Sequence, residues 1–202
     1  MRFALVGSHS TGKTTLINLL KKYYNFDFID SPTRKVAERY PINESGNDDT
    51  QMLCLKYDLG NIQDTDKVDE SYVAFFDRCI LDTYVYTYYL HKHGKLESDY
   101  TLDVIGRNLN NYIKKFTTIF YLESELEIED DNTRSLNTEF RDEIAEIFEE
   151  VLKNISTQVE IVRIKGPLCS RFHVVTKHIM NHLDDVLEEL EKTQGIESII
   201  EG

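Results

Sequence analysis

The sequence predicts an α/β fold, a five-stranded parallel sheet flanked by helices on both faces, and three observations lead there. Strand-like runs recur at Arg2 to Val6, Phe26 to Asp30, Tyr72 to Asp77, Thr117 to Leu122 and Val159 to Ile164. The segments between them carry apolar residues at helical spacing. A glycine-bearing loop, Gly7 to Thr14, joins the first strand to helix-forming Leu16 to Leu20.

The helical stripes are Leu102, Ile105, Leu109, Tyr112, Ile113 and Phe116; then Phe140, Ile144, Ile147, Val151 and Ile155; then Val175, Ile179, Leu183, Val186 and Leu190. Each gives one apolar face to lay on the sheet, so these residues read as core. At 202 residues the chain suits a single domain, 1–202, large enough to bury its own core. Two polar stretches, Pro41 to Asp49 and Glu123 to Asn137, read as functional loops or insertions, not as linkers.

Composition narrows the function classes. With 41% hydrophobic and 29% charged residues and no apolar run near the roughly 20 residues of a membrane span, a soluble protein without a membrane partner is expected. The opening Met1 to Val6 runs directly into the loop and lacks a signal peptide's length and cleavage pattern. Cys54, Cys79 and Cys169 are far apart and lack partners at metal spacing, so reduced thiols and a cytoplasmic location are expected. The net charge of −13 lowers the prior for polymeric nucleic acid without excluding a local basic cleft.

Gly7-Ser8-His9-Ser10-Thr11-Gly12-Lys13-Thr14 matches G-x-x-x-x-G-K-[ST] in full, with a strand before and a helix after. In that setting glycines let the backbone curl so that successive N–H groups point at phosphate oxygens, and the helix adds its positive dipole end. The expected cofactors are ATP and Mg²⁺. Gly7 to Thr15 is the cofactor-binding stretch, Lys13 reaching the β- and γ-phosphates and the Thr14 hydroxyl ligating the metal. His9 reads as a spacer whose backbone N–H matters.

A second carboxylate is needed for the metal, and Asp77 ends an apolar strand where such a group belongs. Arg78 follows directly, then Cys79 and Asp82, placing metal support beside an anion clamp. Asp30 ends the second strand, within the region outside the carboxyl ends where ligands gather in parallel sheets. The alternative for Asp30 is an N-cap for the helix through Arg34 to Arg39. Tyr57, Tyr84, Tyr86, Tyr88 and Tyr89 read as packing before ligand stacking.

Asp77-Arg78-Cys79 resembles the acid-Arg-Ser motif of deoxynucleoside kinases, with Cys in place of Ser, and Asp30-Ser31-Pro32 resembles the acid and proline ending their second strand. The set Asp30-Ser31-Pro32-Thr33-Arg34, Thr50-Gln51, Phe76-Asp77-Arg78 and Asp131-Asn132-Thr133-Arg134 is similar to the P-loop ATPase/kinase family that includes ribosylnicotinamide kinase domains. The resemblance implies a P-loop NTPase fold, Asp30 as general base, Arg78 on substrate and phosphates, Arg34 and Asp82 toward the acceptor, and Asp77 for the metal. It also implies a lid over about 123–141 in which Arg134 serves the γ-phosphate and Arg141 assists. The stretch Gly166 to Arg171 resembles the loop around adenine.

The function implied is transfer of the ATP γ-phosphate to a nucleoside, a nucleotide or a related small molecule, with a homo-oligomer as a possible assembly. Two alternatives are a kinase acting on DNA or polynucleotides, such as on 5-hydroxymethyluracil in phage DNA, and a nucleotide-dependent regulatory switch. The N-K-x-D element that a GTPase switch would carry is absent, and no D-x-x-G stands directly at the end of the third strand, where Asp77-Arg78-Cys79-Ile80 is found.

Overall fold

The computed structural model describes residues 1–66, 72–124 and 138–200, with residues 187 and 189–200 described by their backbone alone. The elements are β1 (Arg2–Val6), α1 (Lys13–Tyr23), β2 (Asp27–Ile29), α2 (Pro32–Ala37), α3 (Asp48–Thr65), β3 (Ala74–Asp77), α4 (Ile80–Lys92), α5 (Tyr100–Tyr112), β4 (Thr118–Leu122), α6 (Thr138–Ile155), β5 (Glu160–Ile164) and α7 (Leu168–Ile200). The five expected strands are all present. They form one parallel sheet in the order β2-β3-β1-β4-β5.

Side-chain alternation divides the core in two, because successive residues of a strand face opposite sides of the sheet. Ala4, Val6, Ala74, Phe76, Ile119 and Tyr121 face the layer built from α3, α4, α5 and α6. Phe3, Leu5, Phe75, Phe120 and Leu122 face α1 and α7. Both faces are covered, so the strands read as continuous apolar runs. Phe75 sits fully buried between the rings of Phe28 and Phe120, at centroid distances of 5.8 and 6.2 Å.

The helical stripes hold with one local change. After Tyr112 the chain tightens into a 3₁₀ turn at Ile113–Lys115, and Phe116 is buried just beyond it, off the helix. The polar stretch Pro41 to Asp49 is tied down. It holds a 3₁₀ turn at Asn43–Ser45, and Asn47 accepts from Thr50 N at 3.1 Å to cap α3. Lys95 reaches Glu44 O, and Asp48 accepts from Glu97 N and Thr101 Oγ1. Of the expected lid, residues 125–137 lie outside the described residues.

The strand order determines where a ligand can sit. From β1 the chain moves to one side for β2 and β3 and to the other for β4 and β5, so the connections diverge at β1 and leave a crevice outside the strands' carboxyl ends. Replacing Phe75 by Ala, which opens a cavity between two neighbouring rings, is expected to cost about 3–5 kcal/mol in urea denaturation. A loss under about 1 kcal/mol would show that this face of the core is not tightly packed.

Candidate active site

The loop after β1 closes through three left-handed residues, Gly7 (φ +142°), Ser10 (φ +60°) and Gly12 (φ +89°). Gly7 has a second constraint: a Cβ there would lie 2.7 Å from the carbonyl oxygen of Leu122, at the end of neighbouring β4. Gly12 is the N-cap of α1, whose first turn holds no acid, so the positive end of the helix is left uncompensated. Several carbonyls of the loop are engaged. Lys13 Nζ donates to Gly7 O (2.9 Å) and to Thr11 Oγ1 (3.1 Å), Thr11 Oγ1 donates to Ser8 O (3.0 Å), and Arg171 Nη1 donates to Thr11 O (2.6 Å).

A cleft of about 480 Å³ opens from this loop, within the range of small-molecule sites. It is lined by the loop itself, by Ser31, Thr33 and Arg34 at the start of α2, by Ile42 and Asn43, and by Asp77 and Arg78 at the end of β3. Thr14 Oγ1 and Asp77 Oδ2 converge on one cation within it. Arg34 Nη2 donates to Thr14 Oγ1 at 2.9 Å and lies 2.7 Å from Asp77 Oδ2, outside hydrogen-bonding angles with the latter. Two oxygens sharing one positive group is the donor arrangement a divalent ion needs, so the residues fit magnesium.

Arg78 follows with φ +70°, its N–H bonded to Leu5 O at 3.0 Å. Such a backbone costs a non-glycine residue about 1–2 kcal/mol. It turns the guanidinium over the Tyr86 ring (5.4 Å) and toward Asp82 Oδ1 (3.4 Å). Asp82 is 1% exposed, and its Oδ2 accepts from Cys79 N at the start of α4. Burial lifts Asp82 above the usual carboxylate range, against the pull of Arg78 and Lys13. Burial and the nearby Arg78 push Lys13 below the usual ammonium range, with Asp82 and Asp77 opposing. The His9 ring stacks on Phe140 at 5.0 Å, and burial, with Arg78, Lys13 and Arg141, lowers it to about 4.

The family described as an AAA domain matches residues 2–171. The chain belongs to that family. Its fold is also that of solved P-loop kinases. Deoxyadenosine kinase from M. mycoides aligns with a TM-score of 0.69 at 13% identity over 90% of this chain and 100% of that one. Thymidylate kinase from Candida albicans aligns with a TM-score of 0.62 at 19% identity over 90% and 91%. The NadR protein, solved with NAD and AMP-PNP, aligns with a TM-score of 0.65 at 20% identity over 91% of this chain and 49% of its own. No curated protein matches the chain. The expected fold, a P-loop NTPase with a parallel five-stranded sheet, is therefore borne out.

The structure brings together Lys13, Thr14, Arg34, Asp77 and Arg78 along one cleft. Asp30, the expected general base, is a different case. Its exposed carboxylate lies 3.6 Å from Lys21 Nζ on α1 and does not line the cleft. The reason is parity: Phe28 faces the α1 side of the sheet and Ile29 the opposite side, so residue 30 points with Phe28. Nor does Asp30 cap α2, whose N-cap is Ser31. Arg171, expected near adenine, is 4% exposed, with Nη1 on Thr11 O and Nε on Gly166 O, so it braces the loop from behind. Arg141, with a 12% exposed side chain, lies near enough to His9 to act on it electrostatically. Arg134 lies outside the described residues.

Sequence reading missed the polar wall beyond Asp82. A small adjoining cavity is lined by Thr33, Asn43, Gln51, Cys54, Asp82, Thr83 and Tyr86. Thr87 Oγ1 donates to Gln51 Oε1 (3.0 Å), and Thr83 Oγ1 donates to buried Asp58 Oδ2 (2.6 Å). Burial pushes Asp58 up to about 8. Polar residues three or four apart on α3 and α4, interleaved with apolar ones, were the available signal. Of the tyrosines, Tyr86 alone among those noted lines this region. Tyr89 packs on Phe140, while Tyr84 and Tyr88 line a separate pocket with Leu109 and Val151.

His9 gives a pH test. Its folded value lies below its ordinary 6.5, so the folded state resists the proton that the unfolded chain accepts. Stability present above pH 6.5 is then eroded as pH falls toward 4. Replacing His9 by Gln is expected to flatten the urea-denaturation stability of the protein across that window, and an unchanged slope would remove His9 as a contributor.

Proposed function

We propose that this protein is a Mg²⁺-dependent ATP:acceptor phosphotransferase whose acceptor is a nucleoside, a nucleotide or a related small molecule. The observation that carries the reading is the continuity of the cleft. The phosphate loop opens directly onto space bounded by α2, Asn43, Asp77 and Arg78, where a second substrate would meet a transferred phosphoryl group. Phosphoryl transfer relies on positioning and charge neutralisation more than on covalent help from the protein, and this wall supplies both.

Lys13 addresses the phosphates of ATP, and the N–H groups of Ser8 to Thr14 surround them. Thr14 and Asp77 hold the metal. With Mg²⁺ held there, those residues would place a positive charge against the phosphates of ATP. Arg34 and Arg78 line the path between donor and acceptor. With Asp30 turned toward α1, the carboxylates at the cleft among the described residues are Asp77 and Asp82, and Asp82 is the one lining the inner cavity with Thr33 and Asn43. The inner cavity beside Gln51 and Tyr86 holds only about 10 Å³, so a nucleoside-like acceptor would lie in the main cleft with Asp82 and the Tyr86 ring at its inner end.

An ADP-release screen with ATP and Mg²⁺ against nucleosides, nucleotides, ribosylnicotinamide and oligonucleotides tests the reading. Turnover stimulated by a small acceptor is expected. Acceptor-independent turnover would favour a regulatory ATPase, and stimulation by oligonucleotides alone a polynucleotide kinase. Lys13→Ala is expected to abolish turnover while the circular dichroism spectrum is kept, and wild-type turnover at saturating ATP would sink the assignment.

The carboxylates separate by substitution. Asp77→Asn is expected to raise the Mg²⁺ concentration needed for half-maximal rate, and Asp82→Asn to lower turnover about 10²-fold or more. Asp30→Asn is expected to stay within about threefold of wild type, since its loss should remove little transition-state stabilisation. A collapse of turnover in Asp30→Asn with ATP affinity kept would return the general-base role to that residue.

A further inference from the structure

At the opposite end of the sheet from the phosphate loop, four side chains meet at one point. Thr118 and Glu160 are the first residues of β4 and β5 and are register partners. His178 and His182 lie one turn apart on α7, a spacing that puts both rings on one helix face. Glu160 Oε2 is 3.0 Å from His178 Nε2, 3.2 Å from His182 Nε2 and 3.0 Å from Thr118 Oγ1. Thr118 Oγ1 is in turn 3.2 Å from His178 Nε2 and 3.5 Å from His182 Nε2. The donor atoms of Glu160, His178 and His182 all lie within 4.8 Å of one another.

We infer that Glu160, His178, His182 and Thr118 form a tetrahedral binding site for a Zn²⁺-class divalent transition-metal ion, separate from the magnesium donors of the cleft. Five of the six edges between the four donor atoms measure 3.0 to 3.5 Å. A tetrahedron of about 3.2 Å edge has its centre about 2.0 Å from each corner, which is the zinc–nitrogen and zinc–oxygen bond length. Two imidazoles and a carboxylate are a known zinc donor set, and nitrogen donors select such an ion over magnesium.

Hydrogen bonding alone accounts poorly for the cluster. Three donors crowd onto one oxygen, Glu160 Oε2, while a carboxylate offers about four acceptor positions over both of its oxygens. A neutral histidine has at most one proton on Nε2, and here that proton would have to serve both Glu160 and Thr118. A cation at the centre satisfies all four groups at once. The rings are also held in place: His178 meets the Phe120 ring edge-on at 5.5 Å, and His182 lies 5.9 Å from the Phe3 ring. Thr118 is buried, while the His178, His182 and Glu160 side chains remain 21%, 29% and 47% exposed, which leaves a path for an ion from solvent.

The bound ion would fasten α7 to the β4–β5 edge. The same helix carries Arg171, which holds Thr11 O of the phosphate loop, so the site would stabilise the helix that braces the cradle without touching substrate.

Tag-free, chelator-stripped protein titrated with Co²⁺ and then with Zn²⁺ tests this directly. The expected result is one equivalent of Co²⁺ with the intense visible bands of a tetrahedral site, displaced by Zn²⁺, and a melting temperature that rises on adding Zn²⁺ and falls back with chelator. Glu160→Gln, which keeps the shape and a hydrogen-bonding oxygen, is expected to weaken binding at least about tenfold. His178→Ala combined with His182→Ala should abolish it, while His91→Ala and His93→Ala should leave it unchanged. The wild-type titration stands even if the double variant fails to fold. A weak octahedral Co²⁺ spectrum, the absence of stoichiometric uptake, or undiminished binding in Glu160→Gln and the double variant would overturn the site.

Discussion

The architecture of the site depends on how closely the end of β1 approaches the end of β4. Gly7 leaves the strand in a left-handed conformation with its α-carbon facing the carbonyl of Leu122, where a side-chain carbon would be 2.7 Å away. That contact allows the loop to curl within a few residues and return into α1. Once it has curled, the carbonyls of Gly7, Ser8 and Thr11 must be paired, and Lys13, Thr11 and Arg171 supply the donors. Pairing the carbonyls in this way leaves the loop N–H groups available to an anion, which is what such a site requires.

Charge is concentrated against the average of the chain. A molecule of net charge −13 places Lys13, Arg34 and Arg78 along one cleft, a local field opposite to that of the surface as a whole. The cations are balanced by Asp77 and Asp82, and burial acts on both sets. It favours the neutral forms of Lys13 and Asp82 while each charge holds the other in place. The Arg34 guanidinium between Thr14 and Asp77 belongs to the same balance, because two facing oxygen donors draw in a positive group.

The sheet has chemistry at both of its ends. Its carboxyl end carries the phosphate loop and Asp77 of β3, and its amino end carries the Thr118, Glu160 and histidine cluster. The helix α7 spans from one to the other, with Arg171 near its start and His178 and His182 two to three turns later.

The sequence by itself determined the fold class, the phosphate loop and the apolar stripes of the covering helices. Apolar runs and period-3.6 stripes are local, and G-x-x-x-x-G-K-[ST] is a contiguous string whose function resides in its own backbone. It also placed Asp77 and Arg78 correctly at a strand tip. The tertiary structure decided which acids face the cleft, and it turned Asp30 away because its parity in β2 follows Phe28. It reassigned Arg171 from ligand contact to loop brace, since its partner Thr11 is 160 residues away. The histidine cluster was equally beyond sequence reading. The partners of His178 and His182, Glu160 and Thr118, are joined to them only by the pairing of β4 with β5 and the docking of α7, contacts that no local pattern encodes.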